Sequence, residues 1–300
     1  MEPNSGVKNR LLEILNGADF TRNNGSLRLT SLGGGSINSC FRVAGDSGAQ
    51  WFCKLNSAQA FPGLFEKEKQ GLDFLRSQGI IRIPETIACG EAEGQQFLLL
   101  EWIEPGPPTE AFWRSFGESM AHLHRVSHHS FGYEIHNYMG ALPQQNTYTD
   151  NWPEFFIRQR LEPQLKLAFD KGLIETGVLR QSVLRKFEGL YKALPSIFPD
   201  EPPALLHGDC WSGNFLCDGT SNAVLIDPAV YFGNRGMDLA MTKLFGGFAP
   251  AFYEAYHHHY PLPAGYREQW AVCNLYPLLI HLNLFGKSYL GDILHTIERF

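Results

Sequence analysis

Leu205-Leu206-His207-Gly208-Asp209-Cys210-Trp211-Ser212-Gly213-Asn214 constrains this chain more than any other stretch. It sets an acid and an amide with four residues between them, on a segment that opens with an apolar pair and is broken by two glycines. Gly, Asp and Asn recur wherever a loop must bend, so taken alone the segment reads equally well as a turn. Its surroundings decide otherwise. Phe215-Leu216 leads out of the loop, and Ala223-Val224-Leu225-Ile226 brings the chain back to a second lone acid, Asp227, thirteen residues past Asn214. The pattern predicts a hairpin presenting two acids at neighbouring positions.

An acid that takes a proton from an alcohol, with an amide and a second acid that hold magnesium through oxygen, is what phosphoryl transfer from ATP requires. The first hundred residues supply the remaining parts. Leu32-Gly33-Gly34-Gly35-Ser36-Ile37-Asn38 lies between two strand-like runs, and its glycines let backbone amides approach phosphate oxygens, although a Gly-rich hairpin turn has the same composition. It matches neither the P-loop nor the dinucleotide fingerprint, which argues against both folds. In Trp51-Phe52-Cys53-Lys54-Leu55, alternation puts Lys54 on one face with Phe52, where a lysine either sits at an edge or reaches an anion. A helix is expected over 61–77, with Leu64, Glu68, Leu72 and Leu75 along one stripe. Glu68 then points inward as the partner of Lys54, while Glu66, Lys67 and Lys69 are solvated.

His207 to Asn214, followed by Ile226-Asp227-Pro228-Ala229-Val230-Tyr231-Phe232-Gly233 and by Asp238 to Phe248 with its Leu244-Phe245-Gly246-Gly247-Phe248 ending, resembles the fructosamine kinase (ketosamine-3-kinase) family. The likeness extends through Asn137-Tyr138-Met139-Gly140, Pro143-Gln144-Gln145-Asn146, Asp150 to Phe156 and Arg160-Leu161-Glu162-Pro163-Gln164-Leu165. It implies an α+β, two-lobed protein-kinase-like fold related to aminoglycoside and choline kinases, with a small antiparallel-sheet N-lobe and a larger, mainly helical C-lobe. Two positions depart from the family: Gly236 stands where Glu is expected, and Cys210 where Leu is usual. If the family Glu makes a local ion pair, restoring it at Gly236 should be tolerated or mildly stabilising.

The resemblance also implies an ATP- and Mg2+-dependent transfer to the C3 hydroxyl of a fructosamine or ribulosamine, a deglycation repair. Asp209 is then the base, Asn214 and Asp227 the metal ligands, and Gly33, Gly34, Gly35, Ser36, Lys54 and Glu68 the phosphate-side residues. Glu101 and Ile103, ending the apolar run Leu98-Leu99-Leu100-Glu101-Trp102-Ile103, are expected at the adenine. Trp211, Trp152 and Asn146 are the candidate acceptor contacts, since sugar faces stack well on indole. Two alternatives stay open: a kinase of the same fold acting on another small hydroxyl compound, such as choline or an aminoglycoside, and a non-catalytic nucleotide-binding module.

Glu104-Pro105-Gly106-Pro107-Pro108 makes a natural connector, so lobes are expected at 1–103 for nucleotide binding and 104–300 for catalysis and acceptor binding. Beyond it helical spacing dominates, with Phe112, Phe116, Met120 and Leu123 on one face. A 300-residue chain with 44% hydrophobic and 19% charged residues can bury a core in each lobe, and a net charge of -6 leaves no footprint for nucleic acid. No Lys/Arg cluster and no long apolar run mark a membrane, so a small-molecule or protein-bound ketosamine is the expected partner, with oligomeric state undetermined. Six cysteines without paired spacing read as reduced thiols in a cytoplasmic enzyme. His257-His258-His259 is assigned no metal, because consecutive side chains on a helix diverge by about 100°. Asp238 is read as capping the helix that follows or bracing the loop from behind.

Overall fold

The computed structural model describes residues 1–17, 26–33 and 37–300. The chain forms two compact units, one of residues 1–107 with 216–227 and the other of 108–215 with 228–300. The first is built on an antiparallel sheet of β1 (Leu27–Leu32), β2 (Ser39–Gly45), β3 (Gln50–Ser57), β4 (Thr86–Ala92) and β5 (Gln95–Glu101), in the spatial order β1-β2-β3-β5-β4. On β5, Phe97, Leu98, Leu99 and Leu100 are all buried, so this strand is covered on both faces and shows no alternation. An N-terminal helix, α1 (Ser5–Gly17), lays Val7, Leu11 and Leu15 against Phe41, Val43, Trp51, Cys53, Leu55, Phe97 and Leu99. Each such side chain contributes about 2 kcal/mol on burial. Because successive strand residues face opposite ways, Lys54, between Cys53 and Leu55, turns to the other side of the sheet, where α2 (Leu64–Ser77) brings Glu68.

Residues 216–227 return to this unit. Phe215–Cys217 pairs with Ala223–Leu225, the expected hairpin. The connector is stitched to it: the Gly106 N–H donates to the Cys217 carbonyl at 2.7 Å, and the Gly219 N–H to that of Glu104 at 3.0 Å. Any side chain at Gly106 would meet the Asp218 carbonyl at 2.5 Å, which is why glycine stands there. Asp218 is buried in the hairpin turn. Its Oδ1 accepts from the Thr220 and Asn222 N–H groups, each at 2.9 Å, and its Oδ2 from Arg82 at 2.5 Å.

The second unit starts at α3 (Glu110–Leu123), whose N-terminus is capped by Thr109 accepting the Phe112 N–H at 3.2 Å. Phe112, Phe116, Met120 and Leu123 are all buried, as the spacing predicts. The phenylalanines join Phe215, Phe248 and Phe252 in a cluster of edge-on and tilted rings. This explains Leu244-Phe245-Gly246-Gly247-Phe248: two glycines at φ 71° and 90° turn the chain so that Phe248 enters the cluster. Asn151 caps the helix Trp152–Phe155, accepting the Glu154 N–H at 2.9 Å. Among the described residues no helix is long and apolar enough to cross a membrane.

One expectation is corrected here. Gly236 opens the helix Gly236–Leu244 in a buried position, its N–H donating to Asn234 Oδ1 at 2.8 Å. A Cβ there would stand 2.7 Å from that oxygen and 3.4 Å from Cys273 Sγ, so a glutamate would be buried, with no exposed ion pair to make. Arg235 is paired instead with Glu201 at 2.8 Å.

Candidate active site

In the first unit, charge is held by charge. Lys54 is only 1% exposed, and its Nζ donates to Glu68 Oε1 at 2.6 Å and to Asp227 Oδ1. Burial alone would lower the lysine's pKa, but the Asp227 and Glu68 carboxylates outweigh it and the ammonium is held charged. Burial lifts the Glu68 carboxyl to about 7, against the pull of Lys54 and with the Asp227 charge adding to the rise. Asp227 adopts φ 57°, a left-handed conformation that Asp tolerates better than most residues, and its side chain is 38% exposed. Two carboxylates thus face one ammonium, with the more exposed acid at the open end. With Glu68 ionised, the cluster carries one net negative charge and offers hard oxygen donors, which suit a divalent cation on phosphates.

In the second unit, an amide orients the acid. Asn214 Nδ2 donates to the Asp209 carbonyl at 2.8 Å and to Asp209 Oδ2 at 2.9 Å, so the amide hydrogens point to Asp209 and the Asn214 oxygen is one that could hold a cation. The loop enters from Ala204–Leu206, which pairs with Tyr231–Gly233, and turns at Gly208 with φ 85°. A Cβ at Gly208 would collide with the Ala229 carbonyl, while the Ala229 N–H donates to the His207 carbonyl at 2.8 Å. The loop therefore lies flat on the segment following Asp227, and only glycine permits it.

Asp238 braces this turn from behind. Its carboxylate accepts the His207 N–H at 2.8 Å and the Gly208 N–H at 2.9 Å, and His124 Nε2 lies 3.2 Å away. The carboxylate accepts, so Nε2 carries the proton, and Nδ1 accepts from the Tyr256 hydroxyl at 2.8 Å. Burial would raise the Asp238 pKa, but His124, His207 and the Gly208 N–H hold it below the usual carboxylate range. Of the two roles open to Asp238 in the sequence, bracing is the one its contacts display. Beside it Cys210 is buried, and burial pushes its thiol well up, with Asp238 and Asp209 adding; it is a small apolar filler.

A family model described as fructosamine kinase matches residues 13–300. The chain belongs to the fructosamine kinase family. A probable ketoamine kinase of Enterococcus faecium is 38% identical over 268 residues, covering 89% of this chain and 93% of that protein. The chloroplastic protein-ribulosamine 3-kinase of Arabidopsis thaliana is 34% identical over 278 residues, covering 91% and 82%. Among solved structures, a Thermobifida fusca YX-ER1 protein designated a fructosamine-3-kinase aligns over 98% of both chains at 33% identity with a TM-score of 0.83. A choline kinase of Streptococcus pneumoniae shares the fold at 15% identity and a TM-score of 0.57, over 97% and 99%. This fructosamine kinase family member is thus an ATP-dependent phosphotransferase of the α+β, protein-kinase-like fold, and a kinase of this class works with a divalent cation.

The remaining expected residues are placed as follows. Gly33 is an exposed bend, whereas Gly34, Gly35 and Ser36 lie outside the described residues. The Glu101 carboxylate is gripped by Arg82 and also accepts the Glu85 N–H at 3.2 Å, and the Glu101 N–H donates to the Glu85 carbonyl at 2.8 Å. Its side chain and N–H are thus spent on the sheet edge. Ile103 is buried at the end of the run. Trp211 is 38% exposed, edge-on to Phe245 at 6.1 Å and packed over Gly213. Trp152 is buried among Phe131, Phe155, Phe156 and Phe198, and Asn146 is buried completely; neither presents a surface to a ligand.

Asn146 belongs to a network the sequence did not disclose. Arg160, fully buried, donates to Asn146 Oδ1 at 2.7 Å and stacks 4.0 Å from the Tyr231 ring centre. Asn146 donates to Asn137 Oδ1 at 3.0 Å, and Asn137 to the Val230 carbonyl at 2.9 Å. Gln144 Nε2 donates to the Ala229 carbonyl at 3.0 Å and its Oε1 accepts from the Tyr276 hydroxyl at 2.9 Å. These amides fix the same 229–230 backbone against which Gly208 turns.

Proposed function

We propose that this chain phosphorylates the C3 hydroxyl of ketosamines, the fructosamine or ribulosamine adducts formed when an amine is glycated. The observation that carries the reading is the complete set Lys54, Glu68, Asp209, Asn214 and Asp227 in a chain of this family, each held in a specific contact. A chain that only bound nucleotide would have no use for an acid oriented as Asp209 is.

Asp209 takes the proton of the C3 hydroxyl as that oxygen bonds to the γ-phosphorus, while the bond from phosphorus to the ADP oxygen breaks. Asn214 holds the Asp209 carboxylate in one rotamer and offers its own oxygen to the cation; Asp227 is the second ligand. Bound there, Mg2+ neutralises charge on the phosphates. Lys54, kept charged between Glu68 and Asp227, positions the phosphates, and Gly33, Gly34, Gly35 and Ser36 are assigned to them from the sequence alone. Ile103 and the backbone carbonyl of Glu101 line the adenine. Trp211, exposed beside Asp209, is the face on which the sugar stacks. The first unit then serves the nucleotide and the second the acceptor.

A ketosamine 3-phosphate is less stable than its parent and loses the sugar, returning the free amine, so the reaction is a deglycation. The name of the Arabidopsis relative directs attention to ribulosamines on proteins. Six unpaired thiols fit a reducing compartment, in accord with a cytoplasmic site of action. The test is incubation of ribulosyl-lysine and fructosyl-lysine with ATP and Mg2+, followed by phosphorus NMR and amine analysis. A 3-phosphate appears first and free lysine follows. Transfer to choline or an aminoglycoside, with none to either ketosamine, would move the chain to the other branch of its fold.

A further inference from the structure

The three consecutive histidines at the end of the helix Pro250–His259 face different neighbours. His257 Nδ1 accepts the Leu262 N–H at 3.0 Å and closes the helix end, and the His258 ring stands edge-on to that of His259. His259 turns toward α3. Its ring lies T-shaped 5.7 Å from that of His122, and its Nε2 is 3.8 Å from Glu118 Oε2. Glu118 and His122 are four apart on α3 and share a face. One ligand atom from each of Glu118, His122 and His259 lies within 4.8 Å of the others.

Two imidazole nitrogens and one carboxylate oxygen are zinc donors, and tetrahedral bonds of 2.0–2.2 Å place ligand atoms about 3.3 Å apart. Small rotations of these exposed and half-buried side chains close the gap, because the helices beneath are already fixed. Gly117, beside Glu118, lies so near the Phe252 carbonyl that no Cβ would fit between them. Arg125 donates to the His259 carbonyl and lies over the Tyr260 ring at 5.1 Å, anchoring the helix end. The divergence of consecutive histidines therefore does not exclude a site: a single member of the tract contributes, and the other two ligands come from α3.

We propose that Glu118, His122 and His259 form a three-ligand site for a divalent transition-metal ion of the zinc class, clamping the end of the Pro250–His259 helix to α3. No part of the phosphoryl-transfer machinery is shared with it. Three protein ligands leave a fourth position for water, so the ion would be exchangeable.

The test uses the untagged, full-length chain, stripped of metal by chelator and titrated with ZnCl2 alone in a calorimeter. One ion should bind saturably, and the thermal midpoint should rise with zinc concentration as for a ligand of the folded state. His122→Ala and His259→Ala should each weaken binding at least about tenfold, and Glu118→Gln should weaken it also. His257→Ala, His258→Ala and Asp227→Ala should keep it, the last excluding zinc held at the nucleotide site. His122 is exposed, so His122→Ala should match the metal-free wild type in thermal midpoint and lose only the zinc response. Absence of a saturable ion, binding indifferent to His122→Ala, or equal loss in His257→Ala would overturn the site.

Discussion

Lys54 and Asp209 are fixed by opposite means. Around Lys54, a buried ammonium is shared by two carboxylates, and the protonation of Lys54 and Glu68 depends on their neighbours. Around Asp209, an amide orients the carboxylate, and the charged brace, Asp238, acts one step back through the backbone of His207 and Gly208. The contrast fits the two tasks proposed for them. Holding phosphates requires net charge, which a cluster can adjust as a cation arrives. Taking a proton from a hydroxyl requires an acid whose position is set.

The largest expected effect tests the second half of that contrast. Asp209→Asn should lower kcat by about 10²–10⁴, because an amide cannot accept the hydroxyl proton. Steady-state turnover with a ketosamine is the measurement, and wild-type rates in this variant would remove Asp209 from the chemistry. Asp238→Ala should cost about 3–5 kcal/mol in urea unfolding at neutral pH, since the His207 and Gly208 N–H groups and His124 lose a buried partner. The sign with pH is fixed by the lowered folded pKa of Asp238. Its contribution is fully present above the ordinary carboxylate pKa, about 3.9, and is lost as pH falls through the folded value. The gap between wild type and variant should therefore narrow in acid. A gap constant down to pH 3 would mean that Asp238 is not the charged brace.

Smaller effects sharpen the same contrast. Gly236 opens the helix that carries Asp238, so Gly236→Glu should destabilise by about 2 kcal/mol, by burying a carboxylate and displacing Asn234. Unchanged unfolding would show that the helix start yields easily and that the brace is less rigid than its contacts imply. Trp211→Ala should raise the ketosamine KM several-fold with the ATP KM nearly unchanged, and should alter stability by less than about 1 kcal/mol, because its ring is already partly in water. Equal changes in both KM values would assign Trp211 to the loop's shape instead of the acceptor.

What the sequence disclosed about this contrast was uneven, for physical reasons. Glu68 was legible because a single acid falling on a leucine stripe has few explanations, and the fold class followed from the segments around Asp209 and Asp227. The strand β4 was not, because Thr86-Ile87-Ala88-Cys89-Gly90-Glu91-Ala92 is half-buried and its pairing with β5 slips between Thr86 and Ala88, which erases the two-residue period. Val7, Leu11 and Leu15 carry a helical spacing that the polar residues between them obscure. Arg160 reads as a surface cation, since no local pattern reports that carbonyls, an amide and aromatic faces will receive it. The pairing of Glu101 with Arg82 was likewise hidden, because it depends on a contact nineteen residues away.

The division between a charge-holding first unit and a proton-directing second one is tested most directly by the Mg-ATP dissociation constant of Asp209→Asn, measured by calorimetry beside wild type and Asp227→Ala. Loss of Asp227 removes the proposed metal ligand and the second partner of Lys54, so nucleotide binding should weaken at least about tenfold there. In Asp209→Asn the dissociation constant should stay within about twofold of wild type while turnover collapses. Loss of nucleotide binding in Asp209→Asn to the extent seen in Asp227→Ala would contradict the account.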